Sequence, residues 1–131
     1  MKYRELINAA FTARENAYAP YSKFFVGAAL LTDTGEIFTG CNVENASFSL
    51  TNCAERTAFF KAISENKKTF TAIVIVGGKE NEIDFCPPCG ACRQVMSEFC
   101  DGAGFKIILA KSDDEWREYS LSELFPLSFD L

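Results

Sequence analysis

Histidine is missing from all 131 residues of this chain. That absence removes the Ser-His-Asp and Cys-His triads, histidine general bases and every histidine-ligated metal site. Any nucleophile, proton carrier or metal ligand must come from Cys, Asp, Glu, Lys or a hydroxyl. Long apolar runs are missing too. Stretches such as Ala72 to Val76 fall far short of the ~20 residues that a membrane span needs. Met1-Lys2-Tyr3-Arg4-Glu5 leads into mixed charge with no apolar h-region, so neither a secretion signal nor a membrane partner is expected, and a cytoplasmic address is. Positive charge is scarce. Lys and Arg number 13 against 18 Asp and Glu, for a net charge of -5. That balance, with a pI near 4.8, leaves no electrostatic footprint for a long nucleic acid.

What is present suits one compact domain spanning residues 1–131. Hydrophobic residues make up 48% of the chain and charged residues 24%, enough apolar material for a core and too little charge for disorder. Six cysteines stand at 41, 53, 86, 89, 92 and 100. In a chain read as cytosolic, clustered cysteines more often bind metal or do redox chemistry than form disulfides.

Hydrophobic periodicity predicts a helix over Lys2 to Tyr18, with Leu6, Ala10, Ala13 and Ala17 on one stripe. A hairpin follows, with strands at Phe24 to Thr32 and Glu36 to Cys41 around Asp33-Thr34-Gly35. Asn42 to Asn52 reads as a loop and Cys53 to Glu65 as a helix. The β-branched run Thr71 to Gly77 reads as a central strand, Lys79 to Pro88 as a loop, and Cys89 to Cys100 as a further helix. Strands at Phe105 to Ala110 and Trp116 to Ser120 precede a last helical turn at Leu121 to Leu124. The expected architecture is a three-layer α/β/α sandwich around a mixed five-stranded sheet. Its central βαβ units should be parallel and right-handed. Lys111 to Glu115 is too short for a crossover, so the last two strands should be antiparallel.

The chemistry sits at the starts of the two middle helices. One begins Cys53-Ala54-Glu55-Arg56, the other Cys86-Pro87-Pro88-Cys89-Gly90-Ala91-Cys92. Helix N-termini favour thiolates, and residues three apart on a helix share a face, so Cys89 and Cys92 can point at one ion. Two helices on the same side of parallel strands begin at the same end of the sheet, which lets Cys53 join them. Three protein thiolates with a fourth position open is a catalytic type of zinc site. The overlapping pair Cys86 and Cys89 brackets Pro87-Pro88, which favours an extended step of ~9 Å between Cα atoms. Two sulfurs on one zinc sit within ~4.6 Å, so Cys86 reads as a packing thiol. Taken alone, Glu55 reads more readily as the third residue of a capping box behind Asn52. Cys41 and Cys100 read as small buried hydrophobes, and Asp113-Asp114-Glu115 as a solvated turn.

The combination is more specific than its parts. Cys53-Ala54-Glu55 with Pro88-Cys89-Gly90-Ala91-Cys92 follows the zinc deaminase signature, with cysteine in the place of histidine. Tyr18 to Phe24, Val26-Gly27-Ala28-Ala29, Asn42 to Ala46, Arg93-Gln94 and Glu123-Leu124-Phe125-Pro126 extend the likeness almost end to end. The chain resembles the cytidine deaminase family, in its small three-cysteine homotetrameric branch. The resemblance implies that Cys53, Cys89 and Cys92 hold zinc and that Glu55 shuttles protons. It implies that the Ala54 backbone helps bind the base, that Asn42 and Glu44 hold the ribose hydroxyls, and that Phe24 lies beside the nucleoside. Phe129 matches an aromatic that reaches into a neighbouring subunit's site. Two departures stand out. Phe48 replaces a usual Tyr and loses its hydroxyl, and Pro87 replaces a usual Ser but keeps the backbone carbonyl.

The implied reaction is hydrolysis of cytidine and 2′-deoxycytidine to the uridines and ammonia, a pyrimidine-salvage step. Three thiolates on Zn²⁺ leave a formal charge of -1, and Arg56 is placed to draw charge off sulfur from behind the ligands. Against a polynucleotide deaminase stand the acidic pI and the short final connection. A deaminase of a modified nucleoside meets Asn42 and Glu44, which suit an ordinary ribose. A zinc-stabilised interaction module would call for a fourth protein ligand.

Overall fold

The computed structural model describes residues 3–131. Eleven-residue helix α1 (Arg4–Arg14) comes first, then strands β1 (Phe24–Thr32) and β2 (Ile37–Cys41). A 3₁₀ turn (Phe48–Leu50) leads to α2 (Ala54–Ser64), β3 (Phe70–Lys79) and β4 (Glu82–Asp84). The chain ends with α3 (Gly90–Phe99), β5 (Lys106–Ala110), β6 (Trp116–Ser120) and α4 (Leu121–Leu124).

The sheet runs β2-β1-β3-β5-β6, and β4 pairs with the end of β3. β3 and β5 are parallel, while β2 and β3 run the same way because each is antiparallel to the β1 between them. β5 and β6 are antiparallel, as the short connection required. Side chains alternate across this sheet with period two. Val26, Ala28, Leu30, Ile73, Ile75, Ile107 and Leu109 pack against α2, α3 and α4 on one face. Ala29, Ala72, Val74, Val76, Ile108 and Ala110 pack against α1 on the other. The three layers expected of the sequence are present.

Three local expectations need correction. The sheet has six strands, because Glu82–Asp84 lies within the segment read as a loop. Its single apolar residue, Ile83, gives no alternation to read; its pairing with Gly77, Gly78 and Lys79 makes it a strand. The first helix stops at Arg14 instead of reaching Tyr18, and its expected start at Lys2 lies outside the described residues. Arg14 is held there by its own side chain, with Nε donating to the Phe25 carbonyl at 2.8 Å and Nη2 to the Gly78 carbonyl at 2.9 Å. Beyond it Tyr18 is captured by a bridge to Val43, so sheet-like pairing overrides helix propensity and Ala17 leaves the stripe. The loop read over Asn42 to Asn52 carries both the 3₁₀ turn and a Val43–Asn52 bridge.

Both helix layers approach the sheet at glycines. A Cβ at Gly27 would lie 2.1 Å from the Ala10 carbonyl oxygen of α1. A Cβ at Gly40 would lie 2.4 Å from the Ala54 carbonyl oxygen and 2.6 Å from the Ala58 nitrogen of α2. Neither backbone neighbour can rotate away. Gly40→Ala is therefore expected to destabilise the fold by about 3 kcal/mol or more, the upper end of overpacking costs. Urea unfolding of the variant against the parent measures this, and a change under 1 kcal/mol contradicts the close packing of α2.

Candidate metal and substrate site

Cys53 and Cys89 are the residues immediately before α2 and α3, both in extended backbone. Neither sulfur caps its own helix, so both are free to turn towards each other. Their Sγ atoms lie 3.7 Å apart. Cys92, one turn into α3, completes a set whose three sulfurs all fall within 4.8 Å of one another. Two sulfurs each ~2.3 Å from a tetrahedral zinc are ~3.8 Å apart, so this spacing and this soft donor set fit zinc. Cys86 stands outside the set, as the proline step predicts.

Charge around the sulfurs is arranged to favour thiolate at Cys53. A hydrogen bond from Cys92, followed by one from Arg56, brings Cys53 down to about 5, while the same shared proton pushes Cys92 up. Arg56 Nη2 donates to Cys53 Sγ at 3.3 Å, and this contact holds the guanidinium firmly protonated. Its Nε is buried without a partner among the described residues. A guanidinium half-buried against sulfur in this way calls for negative charge on the thiol set. Cys86 is pushed up to about 12, first by burial and then by Glu55, so it stays a neutral thiol.

Glu55 is 4% exposed. Burial pushes its carboxyl up to about 7, with Cys53 adding to the rise and Arg56 opposing it. The capping-box reading of Glu55 fails on register. The residue before the helix is Cys53, not Asn52, so Glu55 is one position short, and the Asn52 amide donates instead to Thr57 Oγ1 at 3.0 Å. A capping box does form at α4, where Glu123 N donates to Ser120 Oγ at 3.2 Å and Ser120 N to Glu123 Oε1 at 2.8 Å.

A cavity of about 340 Å³ opens beside these groups, within the ~300–1,000 Å³ range of small-molecule sites. It brings together Phe24, Asn42, Glu44, Cys53, Ala54, Glu55 and Cys89 from the sequence reading. Phe48 and Pro87 also face it. Phe129 does not; it is 68% exposed on the tail, where its carbonyl accepts from Gln94 Nε2 at 3.0 Å. A larger hollow of about 740 Å³ beside Arg14, Lys23 and Phe25 carries no thiol.

Asn42 and Glu44 are tied into the fold as well as facing the cavity. The Asn42 side chain accepts from Val26 N at 2.9 Å and donates to the Phe24 carbonyl at 2.8 Å. An amide has two donors and two lone pairs, so one of each is left. Glu44 Oε1 accepts from Tyr21 N at 3.0 Å and Ser22 N at 3.2 Å, and Oε2 accepts from the Ser22 hydroxyl. Ser22, Val26 and Thr51 line the cavity and were missed by the sequence reading. Ser22 was read there only within the Tyr18 to Phe24 stretch that carries the family likeness, and no periodic signal pairs it with an acid 22 residues away.

Three sulfurs gathered by two helix N-termini beside a buried carboxylic acid define a metal-dependent hydrolase site. This chain belongs to the cytidine and deoxycytidylate deaminase family, a family of zinc hydrolases: residues 1–105 match the model of the cytidine and deoxycytidylate deaminase zinc-binding region. A cytidine deaminase of Halalkalibacterium halodurans is 50% identical over 129 residues, covering 98% of this chain and 95% of that protein. One from Sporosarcina psychrophila is 47% identical over 98% of this chain and 92% of that protein. The crystal structure of cytidine deaminase from Burkholderia pseudomallei superposes with a TM-score of 0.88 at 47% identity, covering 98% of this chain and all of that one. Among the described residues, no helix is long and apolar enough to cross a membrane.

The Ser22 hydroxyl, then the two backbone amides, hold Glu44 below its ordinary 4.5. A depressed carboxylate stabilises the fold above that ordinary value and loses the contribution as pH falls through its folded pKa. Ser22→Ala should raise the Glu44 pKa towards 4.5 and shrink the part of acid destabilisation that Glu44 causes. Carbon-detected NMR titration of the carboxyl reads the shift; an unmoved pKa contradicts the role given to the hydroxyl.

Proposed function

We propose that this chain hydrolyses cytidine and 2′-deoxycytidine to uridine and 2′-deoxyuridine with release of ammonia, a pyrimidine-salvage reaction. The observation that carries the reading is the buried Glu55 carboxyl at the edge of a cavity walled by Cys53 and Cys89. In this reading Cys53, Cys89 and Cys92 hold zinc. Zinc bound there supplies an acidified water, its pKa lowered from about 15.7 towards about 7.

Glu55 does the proton work. A carboxyl near 7 is matched to neutral pH, since a general acid–base group works best with a pKa near the operating pH. It takes a proton from the attacking water and delivers it to N3 as the oxygen bonds to C4. It then takes the proton of the new C4 hydroxyl and passes it to the exocyclic amine, which leaves as ammonia as the C4–N bond breaks and the C4 carbonyl forms. Arg56 acts through the sulfur it touches, drawing charge from a ligand set that outweighs the metal by one unit. Asn42 and Glu44 orient the ribose hydroxyls with the donor and acceptor capacity left to them, Phe24 lies against the nucleoside, and the Ala54 backbone meets the base.

We infer further that the enzyme is a single domain and a homotetramer working in the cytoplasm. Both apolar clusters share one sheet, which supports the first. Cys41, Cys86 and Cys100, free thiols beside the three cysteines of the zinc set, support a reducing compartment. The tail supports the assembly: Leu127 is 91% and Phe129 68% exposed, an apolar surface that calls for cover. Phe129 completes a neighbouring chain's pocket in this arrangement, since it stands away from its own.

Following cytidine absorbance with purified zinc-replete protein tests the activity. Glu55→Gln should keep zinc and fold but lose at least ~10²-fold in kcat, because an amide cannot carry the proton. Near-normal turnover in that variant overturns the mechanism. Phe129→Ala should lower kcat/KM, and removing residues 127–131 should weaken the oligomer. Light scattering that finds the intact protein an active monomer overturns the shared-site reading.

A further inference from the structure

We propose that Gly77 and Cys86 form a steric seat that sets where the Cys89 end of the metal site stands, so that Cys86 is a positioning residue and not a ligand. This rests on the zinc reading above. Between β4 and α3 the chain runs Phe85-Cys86-Pro87-Pro88-Cys89. Neither proline has an N–H to donate, so this span cannot be registered by donor hydrogen bonds at its centre. Its position must come from side-chain contacts at its ends.

Four such contacts are present. The Arg117 guanidinium lies 4.0 Å from the Phe85 ring centroid and Lys111 Nζ 5.4 Å from it. Arg93 Nε donates to the Pro88 carbonyl at 2.8 Å, tying the span to α3. Between them Cys86 packs directly on the bare Cα of Gly77. A Cβ at residue 77 would lie 2.9 Å from Cys86 Sγ, 3.1 Å from Cys86 Cβ and 3.2 Å from Val26 Cγ2. Gly77 is needed here for close approach, not for an unusual backbone angle. It pairs in register with Val26 on one side and Asp84 on the other, so the surface under Cys86 is rigid sheet.

The two prolines carry any displacement of Cys86 onward. An extended Pro-Pro step is a stiff spacer, so lifting Cys86 from Gly77 moves Cys89 instead of being absorbed. Cys89 is the exposed member of the sulfur set; its carbonyl accepts from Arg93 N at 3.0 Å, which ties it to α3, while its other side is reached only through the Pro-Pro step. Its 3.7 Å separation from Cys53 therefore depends on the seat as well as on α3. Cys86 and Pro87 also wall the cavity, so the same contact fixes that wall relative to Glu55.

The experiment measures the rate of zinc transfer from fully loaded protein to a chromophoric chelator, beside urea stability and kcat and KM for cytidine. Gly77→Ala should release zinc about tenfold faster or more, the size of effect seen when groups supporting metal ligands are removed. Cys86→Ala should speed release about threefold, by loosening the seat without filling it. Gly77→Ala/Cys86→Ala should release zinc more slowly than Gly77→Ala alone, because the vacated sulfur position accepts the new methyl. A merely destabilising Gly77→Ala would show its loss and its rescue in urea stability alone, with the rate of zinc release unmoved. Release at the parent rate in Gly77→Ala, or a double variant no better than the single one, overturns the seat. Should Gly77→Ala fail to fold, Cys86→Ala decides: parent-like release overturns the proposal, and faster release supports it. Parent protein that holds no zinc overturns the metal reading itself, a result distinct from either.

Discussion

Everything at this site depends on two helix N-termini meeting at one end of a sheet. α2 and α3 lie on the same face, and each is entered through a cysteine in extended backbone. Each N-terminus carries roughly half a positive charge, which favours the thiolate form of the residue beside it. Three sulfurs within 4.8 Å would repel one another if all were ionised without compensation. The ion, the helix ends and Arg56 together supply that compensation. The fold, in turn, must hold both helices tightly enough that the sulfurs cannot drift apart. The close approach of α2 at Gly40 and the stapling of Pro88 to Arg93 serve that demand.

The substrate side follows a different principle. Its polar groups are already hydrogen-bonded to the backbone they line, so their orientations are set before anything binds. Asn42 bridges Phe24 and Val26 across the start of β1, and Glu44 gathers Tyr21 and Ser22. Such pre-organisation lowers the ordering cost of binding, because fewer rotamers are lost when ligand arrives. It also makes the loop before β1 part of the cavity wall, through Ser22.

The metal site and the tail are mechanically close. Arg93, the residue after Cys92, donates from Nη1 to the Leu124 carbonyl at 2.5 Å, and Gln94 holds the Phe129 carbonyl. One turn of α3 thus brings Cys92 to the sulfur set and, through Arg93 and Gln94, anchors the exposed apolar end. The exposed tail is positioned by the same helix that carries Cys92.

Much of this was legible in the chain. Apolar and β-branched runs bounded by turn residues marked the strands, and Cys53, Cys89 and Cys92 were readable as one site because their placement is local: helix starts and a three-residue spacing. Register decisions were less accessible. Glu55 looked like a cap behind Asn52 until the helix proved to begin one residue later, leaving the carboxyl buried and pushed up to about 7. α1 ends at Arg14 because its side chain finds the Phe25 and Gly78 carbonyls, 11 and 64 residues away. β4 exists because Gly77 and Gly78 offer it an edge. The Ser22–Glu44 and Gly77–Cys86 contacts leave no periodic trace at all. Local backbone preference and hydrophobic period act within a few residues and so are written in the sequence itself. Close approach, desolvation and long-range hydrogen bonds arise only when distant segments share space, and the tertiary structure alone decides them.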